Sequence, residues 1–162
     1  MRPMKPRVYI ETSVVSFLCG RLNTKDKLSR QLQEHTRQWW PLAKRRYQLV
    51  ISDFVVDEAS RGAPAAAQER LAALEGLPFI EFDAQAASEL ASELIRAGAL
   101  PAKARYDALH LACCACAGIE LLATWNFRHL ANASKLLQAY AVCENMGYKP
   151  PNIVTLYQLT EN

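Results

Sequence analysis

The stretch Arg7–Val15, RVYIETSVV, decides how the rest of the chain is interpreted. Its first part, Val8 to Ile10, is β-branched or aromatic, which favours a buried strand. Glu11 ends this apolar run, and Thr12 and Ser13 are residue types that commonly cap a helix. Open parallel sheets bind their ligands beyond the carboxyl ends of the strands, which is where Glu11 would lie. The alternative is a solvated Glu11 in the first turn of a helix, where its charge is favourable.

Length and composition predict a single domain over residues 1–162. A chain of 162 residues is long enough to bury a core without a metal or disulfides. The five cysteines are odd in number and three of them fall in one predicted helix, which indicates a reducing compartment and a cytoplasmic protein. The longest nearly apolar stretch, 108–119, is interrupted by His110 and is shorter than the roughly 20 residues of a membrane helix, so no membrane association is expected.

Short apolar runs alternate with helical patterns along the chain, which predicts an α/β fold with a mainly parallel sheet of four to five strands. We expect strands at residues 8–10, 48–51, 79–80 and 121–122, with an edge strand at 153–156. We expect helices at 12–20, 24–47, 53–62, 65–75, 83–98, 103–117 and 133–146, the second bent or broken near Pro41.

Three carboxylates have matching positions in this predicted topology: Glu11 after the first strand, Glu58 on the helix after the second, and Asp107 in a helix that must be buried. Two carboxylates about 4 Å apart repel by roughly 4 kcal/mol at an effective dielectric constant near 20. A divalent cation would remove this repulsion, and oxygen ligands favour Mg²⁺ or Mn²⁺ over Zn²⁺.

Each of these residues also has a structural interpretation. Asp57 flanks Glu58, as does Asp53, and Glu58 is preferred only because it lies three residues after Val55. Asp107 would be a dipole-stabilised acid if its helix began there, but the predicted start near Lys103 places it beyond the first turn. His110 lies one turn along from Asp107 and is either a satisfied core histidine or a residue that supports the site.

Polar residues after the fourth strand point to the same edge of the sheet. Thr124 and Asn126 are ordinary turn residues, yet an amide oxygen there could also ligate a metal or orient a water. The pair Cys113 and Cys116 lies inside a helix with no second pair to complete a zinc site, so core packing is the better interpretation.

The segment Arg21–Arg46 carries eight basic residues against two acidic ones, while the whole chain has a net charge of +3. This uneven distribution indicates a cationic surface beside an acidic site, as suits a protein that handles a polyanion. A solvated helix face is the alternative.

Taken together, four segments resemble the PIN-domain family, and within it the VapC-type toxin ribonucleases. They are Glu11-Thr12-Ser13 after the first strand, Ser52 through Glu58 to Gly62, Asp107-Ala108-Leu109-His110-Leu111-Ala112, and Leu122 through Thr124 to Asn126. The resemblance covers nearly the full chain and implies a three-layer α/β/α sandwich. The chain departs from the usual family pattern in having Glu11 at the first acidic position and Asn126 at the fourth.

The resemblance implies an Mg²⁺- or Mn²⁺-dependent endoribonuclease, the toxin of a toxin–antitoxin pair, with RNA as substrate, an antitoxin as partner and a homodimeric assembly. Catalysis would fall to Glu11, Glu58, Asp107 and Asn126, with Glu11 and Asp107 holding the metal. Supporting hydrogen bonds would come from Thr12, Ser13, His110, Thr124 and His129, the last of which could contact phosphate. The alternative is a catalytically weakened relative that binds RNA or protein, for which the two departures argue.

Overall fold

The computed structural model describes residues 3–160 and contains a four-stranded parallel sheet with helices packed around it. The predicted domain 1–162 therefore extends at each end by two residues that lie outside the described ones. Eight helices and four strands follow one another as β1 (Arg7–Ile10), α1 (Thr12–Leu18), α2 (Lys27–Arg46), β2 (Gln48–Val50), α3 (Asp53–Ala59), α4 (Pro64–Leu74), α5 (Ala84–Arg96), α6 (Arg105–Ala117), β3 (Leu121–Ala123), α7 (Ala133–Asn145), β4 (Asn152–Val154) and α8 (Leu156–Thr160) within that range.

The strand order is β2-β1-β3-β4, which makes β1 and β3 the central pair. Val8 is in register with Leu49 of β2 and with Leu121 of β3. The central strands have helices on both sides, so nearly all of their side chains are buried, as in other parallel sheets.

The helices form two groups by their contacts. α2 packs against α1 and α8, whereas α5 packs against α6 and α7. Right-handed crossovers place these groups on opposite faces of the sheet, because the chain moves from β1 to β2 in one direction and from β2 to β3 in the other. This is the three-layer α/β/α arrangement that the family resemblance implies.

The strand order also locates the crevice of the fold. The chain leaves β1 toward one edge of the sheet and leaves β3 toward the other, so their carboxyl ends flank a topological switch point. Glu11 follows β1, and Thr124 to Asn126 follow β3.

Several predicted elements differ from the observed ones. The strand predicted at 79–80 is wrong: Phe79 makes a single bridge to Ile51 and is half exposed, and the polar residues that follow leave no apolar run to extend the pairing. α2 runs unbroken through Pro41, which lies on the exposed side, where water can satisfy the carbonyl that the proline leaves without a partner. α8 was not predicted.

The start of the buried helix also differs. Residues Ala102–Ala104 form a short 3-10 turn and the α-helix begins at Arg105, so Asp107 lies in its first turn. Asp107 therefore lies within reach of the helix dipole, contrary to the prediction, and the dipole favours its carboxylate.

Within residues 3–160, none of the helices combines the length and the apolar character that crossing a membrane requires.

Candidate functional site

Glu11 follows β1 directly and is buried, with 3% of its surface exposed. Its Oε2 accepts a hydrogen bond from the backbone N–H of Ser13 at 2.9 Å, and its Oε1 accepts from the Ser13 hydroxyl at 2.6 Å. The hydroxyl of Thr124 also donates to Oε1. Glu11 is thus the N-cap of α1, the role that the sequence assigned to Thr12 or Ser13.

The same hydroxyls join the ends of β1 and β3. Ser13 Oγ accepts a bond from the backbone N–H of Trp125 at 2.8 Å, and Thr124 Oγ1 accepts from the N–H of Asn126 at 2.9 Å. Each hydroxyl donates to Glu11 and accepts from the loop after β3. The position of the Glu11 carboxylate is therefore coupled to the path of that loop.

Glu58 projects from α3 toward the same crevice. Its Oε1 accepts a bond from the Thr12 hydroxyl at 2.7 Å and lies 2.5 Å from His110 Nε2. Its two acidic neighbours, Asp53 and Asp57, are exposed. Of the three candidates in this helix, the structure brings only Glu58 into contact with the site.

His110 and Glu58 favour each other's charged forms. Burial acts to raise the pKa of Glu58, but the hydrogen bonds from His110 and Thr12 outweigh it and the pKa is lowered overall. Burial acts in the opposite sense on His110, yet the bond to Glu58 and the charges of Glu11 and Glu58 raise the pKa of the imidazole overall. The pair is a salt bridge whenever His110 is protonated.

A second residue fixes the other side of the His110 ring. This residue is Tyr9, whose hydroxyl lies 2.6 Å from His110 Nδ1 and also 2.6 Å from Ser52 Oγ. The buried series of contacts therefore runs from Ser52 through Tyr9 and His110 to Glu58. Neither Tyr9 nor Ser52 was predicted to support the site, although a tyrosine inside an apolar strand signals a buried hydroxyl that needs partners.

Asp107 reaches the site from the first turn of α6. Its Oδ2 accepts a bond from Asn126 Nδ2 at 3.0 Å. Burial, followed by the negative charge of Glu11, raises the pKa of Asp107 to about 6, against a smaller lowering by His110 and by the Asn126 bond. The Asp107 carboxyl group is therefore close enough to Glu11 for their charges to repel, and His110 compensates this repulsion only in part.

Glu11, Glu58 and His110 each offer one atom that could hold a metal ion, and these three atoms lie within 4.8 Å of one another. This set shares Glu11 with the predicted ligand pair, while Asp107 is not part of it. The donor chemistry fits a divalent cation, since two of the three donors are carboxylate oxygens, which hard cations prefer as ligands.

A similarity to one solved structure supports this architecture. No protein-family model matches the chain, and no curated protein matches it. Among solved structures, the chain is similar to one in the crystal structure of VapBC2 from Rickettsia felis bound to a DNA fragment from their promoter, with a TM-score of 0.51 and 18% identity over 75% of this chain and 89% of that chain.

The chain has a PIN-like α/β fold.

In this PIN-like fold most of the predicted site residues, from four places in the chain, meet at one edge of the sheet. Glu11, Thr12 and Ser13 lie at the start of α1, with Thr124 and Asn126 on the loop after β3. Asn126 Oδ1 accepts the backbone N–H of His129 at 3.0 Å, while the His129 side chain lies further out, beside Arg128 and Lys103. Burial, helped by those two cations, lowers the pKa of His129.

Proposed function

We propose that this protein is a metal-dependent endoribonuclease that hydrolyses RNA phosphodiesters. The observation that carries the proposal is the convergence of Glu11, Glu58 and Asp107 at the carboxyl edge of the sheet, where burial and mutual repulsion raise the pKa of Asp107 to about 6. Repulsion between carboxylates at this distance is unfavourable, and a bound divalent cation would offset it.

Glu11 and Asp107 would hold Mg²⁺ or Mn²⁺, with Glu58 and His110 beside them. A bound ion of this kind supplies Lewis-acid activation of water and neutralises negative charge that develops on the phosphate. The fit rests on the donor set, because carboxylate oxygens are the preferred ligands of these hard cations.

The remaining residues position these groups. Ser13 and Thr124 orient the Glu11 carboxylate through their hydroxyls, and Thr12 with His110 orients Glu58. Asn126 adds no charge, and through its bond to Asp107 it is placed to orient the water that attacks the phosphodiester.

We further propose that the protein is the toxin of a toxin–antitoxin pair that acts in the cytoplasm as a homodimer. The likeness of its fold to a chain of the VapBC2 complex supports this partner class. An antitoxin would act by covering the crevice between β1 and β3.

The direct test is cleavage of a structured RNA by the purified protein with Mn²⁺ or Mg²⁺. We expect cleavage that stops on chelation and falls by at least about 100-fold in Asp107→Asn, because an amide cannot replace a charged ligand at this position. Asp57→Asn is the matched control, since it removes an exposed carboxylate next to Glu58 and should leave the rate unchanged.

Equal cleavage by the wild type and Asp107→Asn would mean that a contaminant cuts the RNA. Cleavage that survives chelation in the wild type, but is lost in Asp107→Asn, would contradict the metal dependence alone. One gel that compares the wild type, Asp107→Asn and Asp57→Asn, each with and without chelator, distinguishes these two outcomes. The comparison is matched, because each variant replaces one aspartate by asparagine.

A second function, RNA or protein binding without cleavage, is favoured by one observation. Glu11 already accepts three hydrogen bonds, from Ser13 N–H, Ser13 Oγ and Thr124 Oγ1. These protein donors compete with a cation for the carboxylate lone pairs. RNA binding that is unchanged by metal, together with no cleavage, would support this second function.

A further inference from the structure

The turn that follows α3 holds Arg61 three residues after Glu58. The backbone N–H of Arg61 donates to the carbonyl of Glu58 at 3.2 Å. Arg70, from α4, donates to the carbonyls of Ala59 and Arg61 and so ties this turn to the next helix. Gly62 then takes a φ of +85°, a conformation that glycine adopts at little cost. The backbone of Arg61 is therefore fixed relative to Glu58.

The Arg61 side chain lies on the face of the Tyr106 ring. Its Cζ is 4.5 Å from the ring centroid, which is within the range of a cation–π contact. Tyr106 comes directly before Asp107 in the first turn of α6. The guanidinium of Arg61 thus connects the end of the helix that carries Glu58 to the start of the helix that carries Asp107.

The Tyr106 ring is itself supported by an aromatic cluster that reaches His110. Phe54 of α3 packs edge-on against Tyr106, with 6.4 Å between the ring centroids, and edge-on against His110, with 6.5 Å. Phe82 also contacts Phe54, with the centroids 5.9 Å apart. A different orientation of Tyr106 would disturb this packed cluster, so the ring is a fixed support for Arg61.

The hydrogen-bond donors of Arg61 are free. The side chain is exposed, and within residues 3–160 it forms no ion pair and donates no hydrogen bond. A guanidinium stacked on a ring keeps its N–H groups available, because they point outward in the plane of the group. Its charge still reaches the site: burial acts to raise the pKa of Glu58, and His110, Thr12 and then the charge of Arg61 lower it.

An RNA phosphate is the anion that suits this guanidinium. Glu11, Glu58 and Asp107 give the site a surplus of negative charge, which repels a polyanion that approaches it. A cation at the border of the site offsets this repulsion. Two N–H groups of an arginine match two oxygens of one phosphate, and this paired contact is stronger and more directional than a contact with a lysine ammonium.

We propose that Arg61 binds a phosphate of single-stranded RNA at the border of the acidic site, with Tyr106 holding its guanidinium in position. The proposal rests on the proposed function for its substrate. Arg61 is a substrate-binding residue in this role, and Tyr106 is a positioning residue that acts through it.

The first test is the affinity for a fluorescently labelled single-stranded RNA, measured by anisotropy in EDTA so that nothing is cleaved. We expect Arg61→Gln to weaken binding about 5- to 10-fold and to lower the slope of log affinity against log salt by about 0.7, the value for one phosphate contact. Arg46→Gln is the matched control. It removes the same charge from an exposed position at the end of α2, just before β2 enters the sheet at the edge opposite the site, and should change the affinity less than 2-fold.

Three more variants separate a phosphate contact from a structural role. Arg61→Lys keeps the charge but loses the paired geometry, so it should restore the salt slope while the affinity stays about 3-fold below that of the wild type. Tyr106→Leu removes the ring and should weaken binding about 3-fold, whereas Tyr106→Phe keeps the ring and should match the wild type. A purely structural Arg61 would lower the unfolding temperature of Arg61→Gln and leave the salt slope unchanged, which would overturn the proposal.

Cleavage kinetics with Mn²⁺ separate Arg61 from the catalytic groups. Arg61→Gln should raise KM about 5- to 10-fold and change kcat less than about 3-fold, whereas Asp107→Asn should lower kcat and leave the affinity in EDTA within about 3-fold.

The outcomes distinguish this proposal from the proposed function. Weaker binding and a lower salt slope in Arg61→Gln, in a protein that never cleaves RNA, would support the phosphate contact and overturn the nuclease. Wild-type affinity and KM in Arg61→Gln would overturn the phosphate contact and leave the nuclease intact. Equal losses of affinity in Arg61→Gln and Arg46→Gln would show a response to net charge alone, and would also overturn the phosphate contact.

Discussion

The hydroxyl of Tyr9 bridges Ser52 and His110, and all three residues are buried. Because burial is the largest factor that raises its pKa, Tyr9 stays a neutral phenol at physiological pH. A phenol can donate one hydrogen bond and accept another, so it satisfies both neighbours at once. The orientation of His110, and through it that of Glu58, depends on this one oxygen atom.

Replacing Tyr9 by Phe removes this oxygen and leaves two buried polar groups without a partner. We expect Tyr9→Phe to reduce the free energy of unfolding by about 1–3 kcal/mol, the usual cost of such unpaired groups. Urea denaturation measures the change. Tyr47→Phe is the control, because the Tyr47 hydroxyl makes no hydrogen bond to the described residues, and its unfolding curve should match that of the wild type. Equal stability of the two variants would show that the bridge contributes nothing.

Asp107 gives the metal-free protein a specific pH dependence. A carboxyl group whose pKa is about 6 when folded and 3.8 ordinarily retains its proton in the folded state after the unfolded chain has lost it. Stability contributed by this group is complete below about pH 4 and is lost as the pH rises toward about 6. The loss should be about 1–2 kcal/mol, after allowance for the partial exposure of the group.

Asp107→Asn should abolish this pH-dependent loss and make the protein more stable than the wild type at pH 7.5 in EDTA. Chemical denaturation at pH 4.5 and 7.5 measures both values, with Asp57→Asn expected to follow the wild type at each pH. An Asp107→Asn variant that is less stable than the wild type at pH 7.5 would contradict the repulsion argument.

At the level of elements, α2 shows how tertiary context overrides a local signal. Pro41 predicts a break, yet the helix of twenty residues continues through it to Arg46, because Trp39, Trp40 and Ala43 are buried on one side while Pro41 is exposed on the other. The apolar face outweighs the loss of one hydrogen bond.

Pro41→Ala should therefore stabilise the protein, by about 1–2 kcal/mol, because it restores a helical hydrogen bond at a site that already has helical backbone. A rise in the thermal unfolding temperature would show it. Leu42→Ala, at the next exposed position of α2, serves as the comparison and should change the stability by less than about 0.5 kcal/mol. A destabilised Pro41→Ala would indicate that the proline is required for the local shape of α2.

The sequence predicted the elements with strong periodicity and missed those that depend on contacts distant in the chain. β1 and α5 followed from local patterns. The start of α6 at Arg105 did not, because a 3-10 turn often precedes an α-helix and continues the same helical pattern in the sequence.

In the candidate site, too, some residues could be predicted from the sequence and others depend on contacts distant in the chain. Residues next to strand ends, such as Glu11 and Thr124, were predictable from topology, since parallel strands bring their carboxyl ends together. The bridge through Tyr9 and Ser52 was not, because it joins residues 43 positions apart whose side-chain contact no local pattern encodes.

For the whole molecule, the direction of α2 divides the basic segment Arg21–Arg46 into two parts. α2 ends at Arg46, immediately before β2 enters the sheet at its amino edge, so Arg45 and Arg46 lie at the edge opposite the site. Trp125 Nε1, on the loop after β3, donates to Thr36 Oγ1 at 2.7 Å, which places the middle of α2 level with the carboxyl edge.

Some of these basic residues also have structural roles. Arg37 donates to the carbonyls of Leu18 and Gly20 at the end of α1, and Arg30 pairs with Glu34. These contacts account for part of the basic charge without any ligand. Lys25 and Lys27 are exposed and precede Thr36, so they lie on the side of the site.

This geometry predicts that RNA binding depends on the amino-terminal part of the basic segment. Lys25→Gln/Lys27→Gln should weaken RNA binding about 3- to 10-fold at 0.1 M salt and lower the slope of log affinity against log salt, because the removed charges lie near the path of the phosphates. Arg45→Gln/Arg46→Gln removes the same charge at the far edge of the sheet and should weaken binding less than 2-fold. Equal losses in the two variants would indicate that RNA responds to net charge alone, whereas a larger loss in the arginine variant would place the RNA along the amino edge, away from Glu11.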